Sequence, residues 1–200
     1  MNKKSFSIFE LIIVIVILLL FTNRTQYNID KSNLDDVVMK LKLYLNYTRY
    51  IAFLDNKYTK DNIDWKTSLW TLKFQRCSKN IGGIYFVVYS DTNTITSHFK
   101  KTDCLKDPLT NKYLYSNWDC KATKDESKYV LLTKQYDITK IKLSCNTTST
   151  LGQISFGANG DIYSSLGDNI VKITKPCYLT LYNSKNQEQT ITIEPTGYSY

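Results

Sequence analysis

Histidine and arginine are scarce in this chain. The 200 residues hold one histidine, His98, and arginine only at Arg24, Arg49 and Arg76. No CxxC pair occurs among the five cysteines, so the usual zinc-ligand spacing is missing. No GxSxG, HExxH or P-loop pattern occurs either, and a lone histidine lacks the partners that nucleophilic or acid–base catalysis requires. Asn159-Gly160-Asp161 lacks the further acidic positions of a calcium loop and reads as a turn. The expectation is a chain that is not an enzyme, with no catalytic residue, no metal and no cofactor.

Charge and aromatic content are plentiful. The formal net charge is +8 and is carried by lysine, while 42% of residues are hydrophobic and 22% charged, a globular balance. Sixteen tyrosines and eight phenylalanines favour strands. Residues 55–145 carry 16 basic against 10 acidic side chains, a net +6, whereas 146–200 carry three against four. A basic surface attracts polyanions. Lysines dispersed over solvated faces give the same total, and no segment forms an arginine-rich strip.

The cysteines are Cys77, Cys104, Cys120, Cys145 and Cys177. In an exported domain disulfides are the default, and an odd number leaves one thiol over. Sequence alone does not give connectivity. The first expectation is Cys104–Cys120, which closes a short loop. The second is Cys145–Cys177, and the two together leave Cys77 free.

The N-terminus is the most informative segment. Lys3 and Lys4 precede an apolar run from Leu11 to Phe21, and Glu10 sits at its start. Phe6 to Thr22 spans roughly 25 Å as a helix, near the lower limit for a bilayer core of about 30 Å. The basic flank places the short N-terminus in the cytoplasm. A secretory signal peptide would need a small-x-small cleavage site, and Thr22-Asn23-Arg24-Thr25-Gln26 offers none. A plain signal anchor leaves Glu10 unexplained, because a carboxylate in an apolar span costs about 2.5–3.5 kcal/mol and marks function.

Lys3-Lys4-Ser5-Phe6-Ser7-Ile8-Phe9-Glu10-Leu11-Ile12 resembles the class III leader of type IV pilins and type II secretion pseudopilins. That resemblance implies cleavage by prepilin peptidase between Ser5 and Phe6 and N-methylation of Phe6. It makes Glu10 the fifth residue of the mature chain. Ser5 stands where the family usually has glycine. The implied role of Glu10 is to neutralise the new amine of Phe6 on a neighbouring subunit, since two buried charges are tolerable only when paired.

A second periodicity follows. Leu34, Val38, Leu41, Leu45, Thr48 and Ala52 recur at helical spacing, and Ser32 or Asn33 is placed to cap a helix ending near Asp55-Asn56. Leu45 to Ala52, with the Thr48-Arg49 pair, is similar to the helix of GspH/FimT-type minor pseudopilins. Ser155-Phe156-Gly157-Ala158-Asn159-Gly160 and Ile193-Glu194-Pro195-Thr196-Gly197-Tyr198 resemble the C-terminal half of the same proteins. Strands are predicted over 68–76, 84–90, 129–133, 140–145, 153–156, 178–182 and 189–194. The polar stretch 100–128 reads as an excursion stapled by a disulfide.

These readings give an α+β fold of the type IV pilin-like class. A long N-terminal helix, with a membrane half and an amphipathic half, packs on an antiparallel β-rich domain. The segments are a leader (1–5), a transmembrane half (6–22), a linker with the amphipathic half (23–56) and a β-rich periplasmic domain (57–200). The resemblance implies a single-pass bacterial inner-membrane protein, a minor pilin or pseudopilin. Its partners are other pilin subunits, prepilin peptidase and the inner membrane. It would serve a type II secretion pseudopilus or a type IV pilus-like filament, in protein secretion or DNA uptake. The alternative is a DNA-binding minor pilin of a transformation apparatus, suggested by the net charge.

Overall fold

In the computed structural model, residues 8–59, 65–91, 99–167 and 170–200 are described. Helix α1 runs over Ile8–Leu54. A short helix α2, Trp65–Ser68, leads into strands β1, Trp70–Arg76, and β2, Ile84–Tyr89. After a long excursion come helix α3, Leu132–Tyr136, and strands β3, Ile138–Leu143, β4, Gln153–Phe156, and β5, Ile162–Tyr163. Strands β6, Cys177–Asn183, and β7, Glu188–Ile193, complete the chain. They form two antiparallel sheets, ordered β2-β1-β4-β5 and β3-β6-β7.

The stripe Leu34, Val38, Leu41, Leu45, Thr48 and Ala52 is buried in full, joined by Val37 and Tyr44. Its spacing puts these side chains on one face, where they meet β1 and β4 of the first sheet and β7 of the second. The helix thus lies in the angle between two sheets, over a core that includes Leu72, Phe74, Phe86, Ile154, Leu179 and Ile191.

Several expectations are corrected. The coarse class, α+β with antiparallel sheets, is what the structure supports. The pilin-like arrangement, with a long helix half in a membrane and half on one sheet, is not. Among the described residues no helix is long and apolar enough to cross a membrane. The apolar described stretch, Ile8 to Leu20, is only about 20 Å long, short of a hydrocarbon core of about 30 Å, and Glu10 interrupts it. The same finding overturns the single-pass inner-membrane placement. There is also no helix start at Ser32 or Asn33, because α1 passes through them.

The predicted strand over 129–133 is a helical turn running into α3, while β3 begins two residues earlier than expected. An apolar run of this length is ambiguous by itself. Here Asp137 ends α3 in the left-handed conformation, where its backbone N–H bonds back to the Leu132 and Thr133 carbonyls. Strand β5 was not foreseen; it has two residues.

The excursion covers the outer edge of β2. Leu105 N–H donates to Val88 O at 2.8 Å, and Val88 N–H to Leu114 O at 3.0 Å. The C-terminus does the same for β7, with Thr192 and Tyr200 exchanging two bonds of 3.1 Å. Edge strand β3 is left with exposed Lys140 and Lys142, which discourage further pairing.

Disulfides join Cys77–Cys120 and Cys145–Cys177. The second pair is as expected. The expected Cys104–Cys120 bond is not formed, and Cys104 rather than Cys77 is the free, buried thiol. Cys104 pairs with Tyr89 at the edge of β2 and turns into the core. Cys120 is carried to the end of β1 instead, where Ser78 N–H donates to Trp118 O at 2.8 Å.

Candidate assembly surface and its supports

Among the described residues the N-terminal part of α1 packs on no core. From Ile8 to Leu20 the apolar side chains are between 45% and 80% exposed, and Glu10 is exposed among them. Contiguous exposed apolar surface on this scale marks an interaction site. Lys3, Lys4, Ser5 and Phe6, the leader and processing positions, lie outside the described residues, as does His98.

Exposed apolar side chains occur again on the folded part of the helix. Met39, Leu43, Tyr50, Phe53 and Leu54 are exposed. At about 100° per residue they fall within roughly 100° of one another, opposite the buried stripe. One face of α1 therefore closes the core, while the other presents these apolar side chains interleaved with Asp35, Asp36 and Asn46. Sequence reasoning took the buried stripe as the helix's only apolar face. The signal for the second was present in the same spacing, four residues from Met39 to Leu43 and from Tyr50 to Leu54.

The residues that carried the second resemblance meet in space. Arg49 Nε donates to Thr196 O at 2.7 Å. Asn46 and Ser199 exchange two bonds of 3.1 Å, side-chain amide to carbonyl and backbone N–H to side-chain oxygen. Gly197 sits at φ +77° beside Arg49, with a would-be Cβ at 3.0 Å from Ile162 and 3.2 Å from Phe156. No larger residue fits that turn without moving the core. These positions tie the C-terminus to α1, so their role here is structural.

A buried polar hub holds the excursion to the same helix. Asp107 is 1% exposed. Its carboxylate accepts from Ser127 Oγ at 2.7 Å, Thr110 Oγ1 at 2.9 Å, Leu109 N–H at 2.9 Å and Tyr44 Oη at 3.3 Å. Burial, and then the nearby carboxylate, push the Tyr44 phenol far above its ordinary value. A buried charge held by four donors is stable without a cation. Sequence reasoning missed Asp107, since Leu109 and Thr110 are its neighbours but Tyr44 comes from α1 and Ser127 from the far end of the excursion.

Among the described residues no three His, Cys, Asp or Glu side chains gather as metal ligands. The Cys104 thiol is pushed well above its usual range by burial, which makes it a poor nucleophile. Of the neighbours Asp125 and Glu126, Glu126 is buried and Asp125 exposed, and the Asp125 carboxyl is held down to about 2 by its hydrogen bond from Lys101 at 2.8 Å. Compared with known proteins, the chain matches no family model, no curated protein and no solved structure.

Proposed function

We propose that the chain is a filament subunit of the minor pilin or pseudopilin kind, which assembles through its N-terminal helix with other subunits of that class. The observation that carries this reading is the uncovered apolar surface of α1 from Ile8 to Leu20, with the Glu10 carboxylate near its start, and the further exposed apolar side chains between Met39 and Leu54. Burying such surface between helices is favourable at roughly 25 cal/mol per Å². In such an assembly the Glu10 carboxylate is most favourably placed beside a cation. The leader-like sequence supplies a candidate, the amine that cleavage before Phe6 would create on the adjacent subunit. The filament would belong to a type II secretion or type IV pilus-like machine. A minor rather than major subunit fits the large lysine-rich domain and its long excursion.

The reading is tested by mass spectrometry of the N-terminus of protein from its native host, together with a Glu10→Ala variant. A chain beginning at methylated Phe6, and a variant that melts normally but is not incorporated into filaments, are expected. A native chain that keeps Met1, or normal incorporation of Glu10→Ala, contradicts it.

A further inference from the structure

Two grooves open on the face of the globular part, and they adjoin. The first, about 630 Å³, is walled by Tyr85, Phe99, Tyr115 and Trp118, with Lys73 and Arg76 along its side. The second, about 520 Å³, runs past Lys142, Tyr178 and Thr180 on the outer face of the β3-β6-β7 sheet. Arg76, Thr150 and Leu151 line both, so the grooves meet at the exposed Arg76 side chain. Among the described residues that line them there is no aspartate or glutamate.

The aromatic groups range from buried Tyr85 to open Trp118 and Tyr178. Trp118 is 74% exposed, yet its backbone is fixed by the bond from Ser78 and by the disulfide at Cys120 two residues on. Tyr178 is 48% exposed on β6. Tyr85 Oη donates to Gln75 Oε1 at 2.6 Å, and Phe99 stacks on Tyr89 with centroids 4.0 Å apart. Tyrosine and tryptophan rings have only two side-chain torsions, so little entropy is lost when a planar group settles on them.

We propose that these two grooves form one track for a single-stranded nucleic acid, with bases stacking on Trp118, Tyr115 and Tyr178 and the phosphates running past Arg76, Lys73 and Lys142. Cations interleaved with exposed ring faces, and no carboxylate between them, suit a polyanion that also carries flat groups. An acidic polysaccharide would satisfy the cations but offers the rings only the puckered C–H faces of its sugars, a smaller stacking area than a planar base. A duplex keeps its bases stacked and turned away from walls of this shape. The chain's net charge of +8 adds long-range attraction but is not concentrated in a strip; the grooves give it a place to act. This inference concerns the globular part and stands or falls independently of the filament reading.

The test is fluorescence anisotropy of a labelled mixed-sequence oligonucleotide with the full chain across a salt series. Single-stranded probe should bind, more weakly as salt rises. Trp118→Ala should weaken binding about tenfold or more, the loss of one stacked base. Arg76→Gln should lower the slope of log affinity against log salt by about one. Lys112→Ala, on an exposed turn outside both grooves, should do neither. Equal affinity for duplex, equal affinity for dextran sulfate, no binding at low salt, or equal losses from Trp118→Ala and Lys112→Ala each overturns the proposal.

Discussion

The two ends of α1 are built from similar side chains and meet different fates. Between Leu34 and Ala52 one stripe of the helix is buried to 8% exposure or less, whereas Ile8 to Leu20 is at least 45% exposed throughout. Apolar character alone does not separate them. What separates them is polarity on the remaining faces and the presence of sheets to pack on. Asp36 and Lys40 form an i,i+4 ion pair at 2.5 Å beside the buried stripe. The N-terminal run has no polar side chain after Glu10 up to Leu20. Among the described residues this end of the helix packs on no core, and exposed apolar surface of that extent is what interaction sites are made of. Exposed apolar side chains recur from Met39 to Leu54.

The contrast is sharpened first by truncating each end. Leu41→Ala or Leu45→Ala should cost ~2–5 kcal/mol of folding stability in urea titrations, because each opens a void in a filled core. Ile15→Ala or Val16→Ala should move folding stability by no more than about 0.5 kcal/mol while reducing self-association in sedimentation. Comparable folding losses at both ends would erase the distinction.

The packed end also depends on covalent and polar staples. Replacing both Cys77 and Cys120 with Ser frees a loop with a sequence separation of 43, and should cost about 4 kcal/mol in the loop-closure description. The melting temperature should fall, and the excursion should become sensitive to protease. Asp107→Ala leaves Tyr44 and Ser127 without their acceptor, so a loss of ~1–3 kcal/mol is expected. Tyr44→Phe, which removes one donor and keeps the ring, should lose less. Gly197→Ala meets both a positive φ and contacts of 3.0–3.2 Å, and should lower the melting temperature by several degrees.

The smallest effect expected is one of pH. The Asp125 carboxyl, held by Lys101, titrates near 2 in the folded chain against an ordinary value of 3.8. A group whose folded value is depressed stabilises the fold above its unfolded value. That contribution should fade as pH falls from about 4 to about 2. Lys101→Met should flatten this part of the profile by lowering stability slightly at neutral pH and not near pH 2, a small loss because Asp125 is exposed.

Much of the fold was legible where one rule acts alone. The stripe from Leu34 to Ala52 follows from helical spacing, and Gln153–Phe156 was placed with its observed bounds because a glycine turn stops it on either side. The apolar run Tyr129-Val130-Leu131-Leu132 carries no period and was read as a strand, until its packing on β2 fixed it as helical turns. Cysteine pairing was half legible. Cys145 and Cys177 lie at the ends of paired strands, whereas Cys77–Cys120 depends on how the excursion folds back. Of the candidate sites, Glu10 and its apolar run are visible in a linear reading. The Asp107 hub and the two grooves are not, since Arg76, Trp118, Lys142 and Tyr178 come together only through the sheets.

The central claim is that the N-terminal segment of α1 is a subunit–subunit surface. Its most direct test is photo-crosslinking in the native host from a benzophenone side chain placed at Val16, with Lys112 as the control position. Adducts at Val16 that map by mass spectrometry to the corresponding helical segment of another pilin-like subunit, and none at Lys112, are the expected result. A Val16 probe that yields no such adduct, in cells where the protein is otherwise folded and active, contradicts the account.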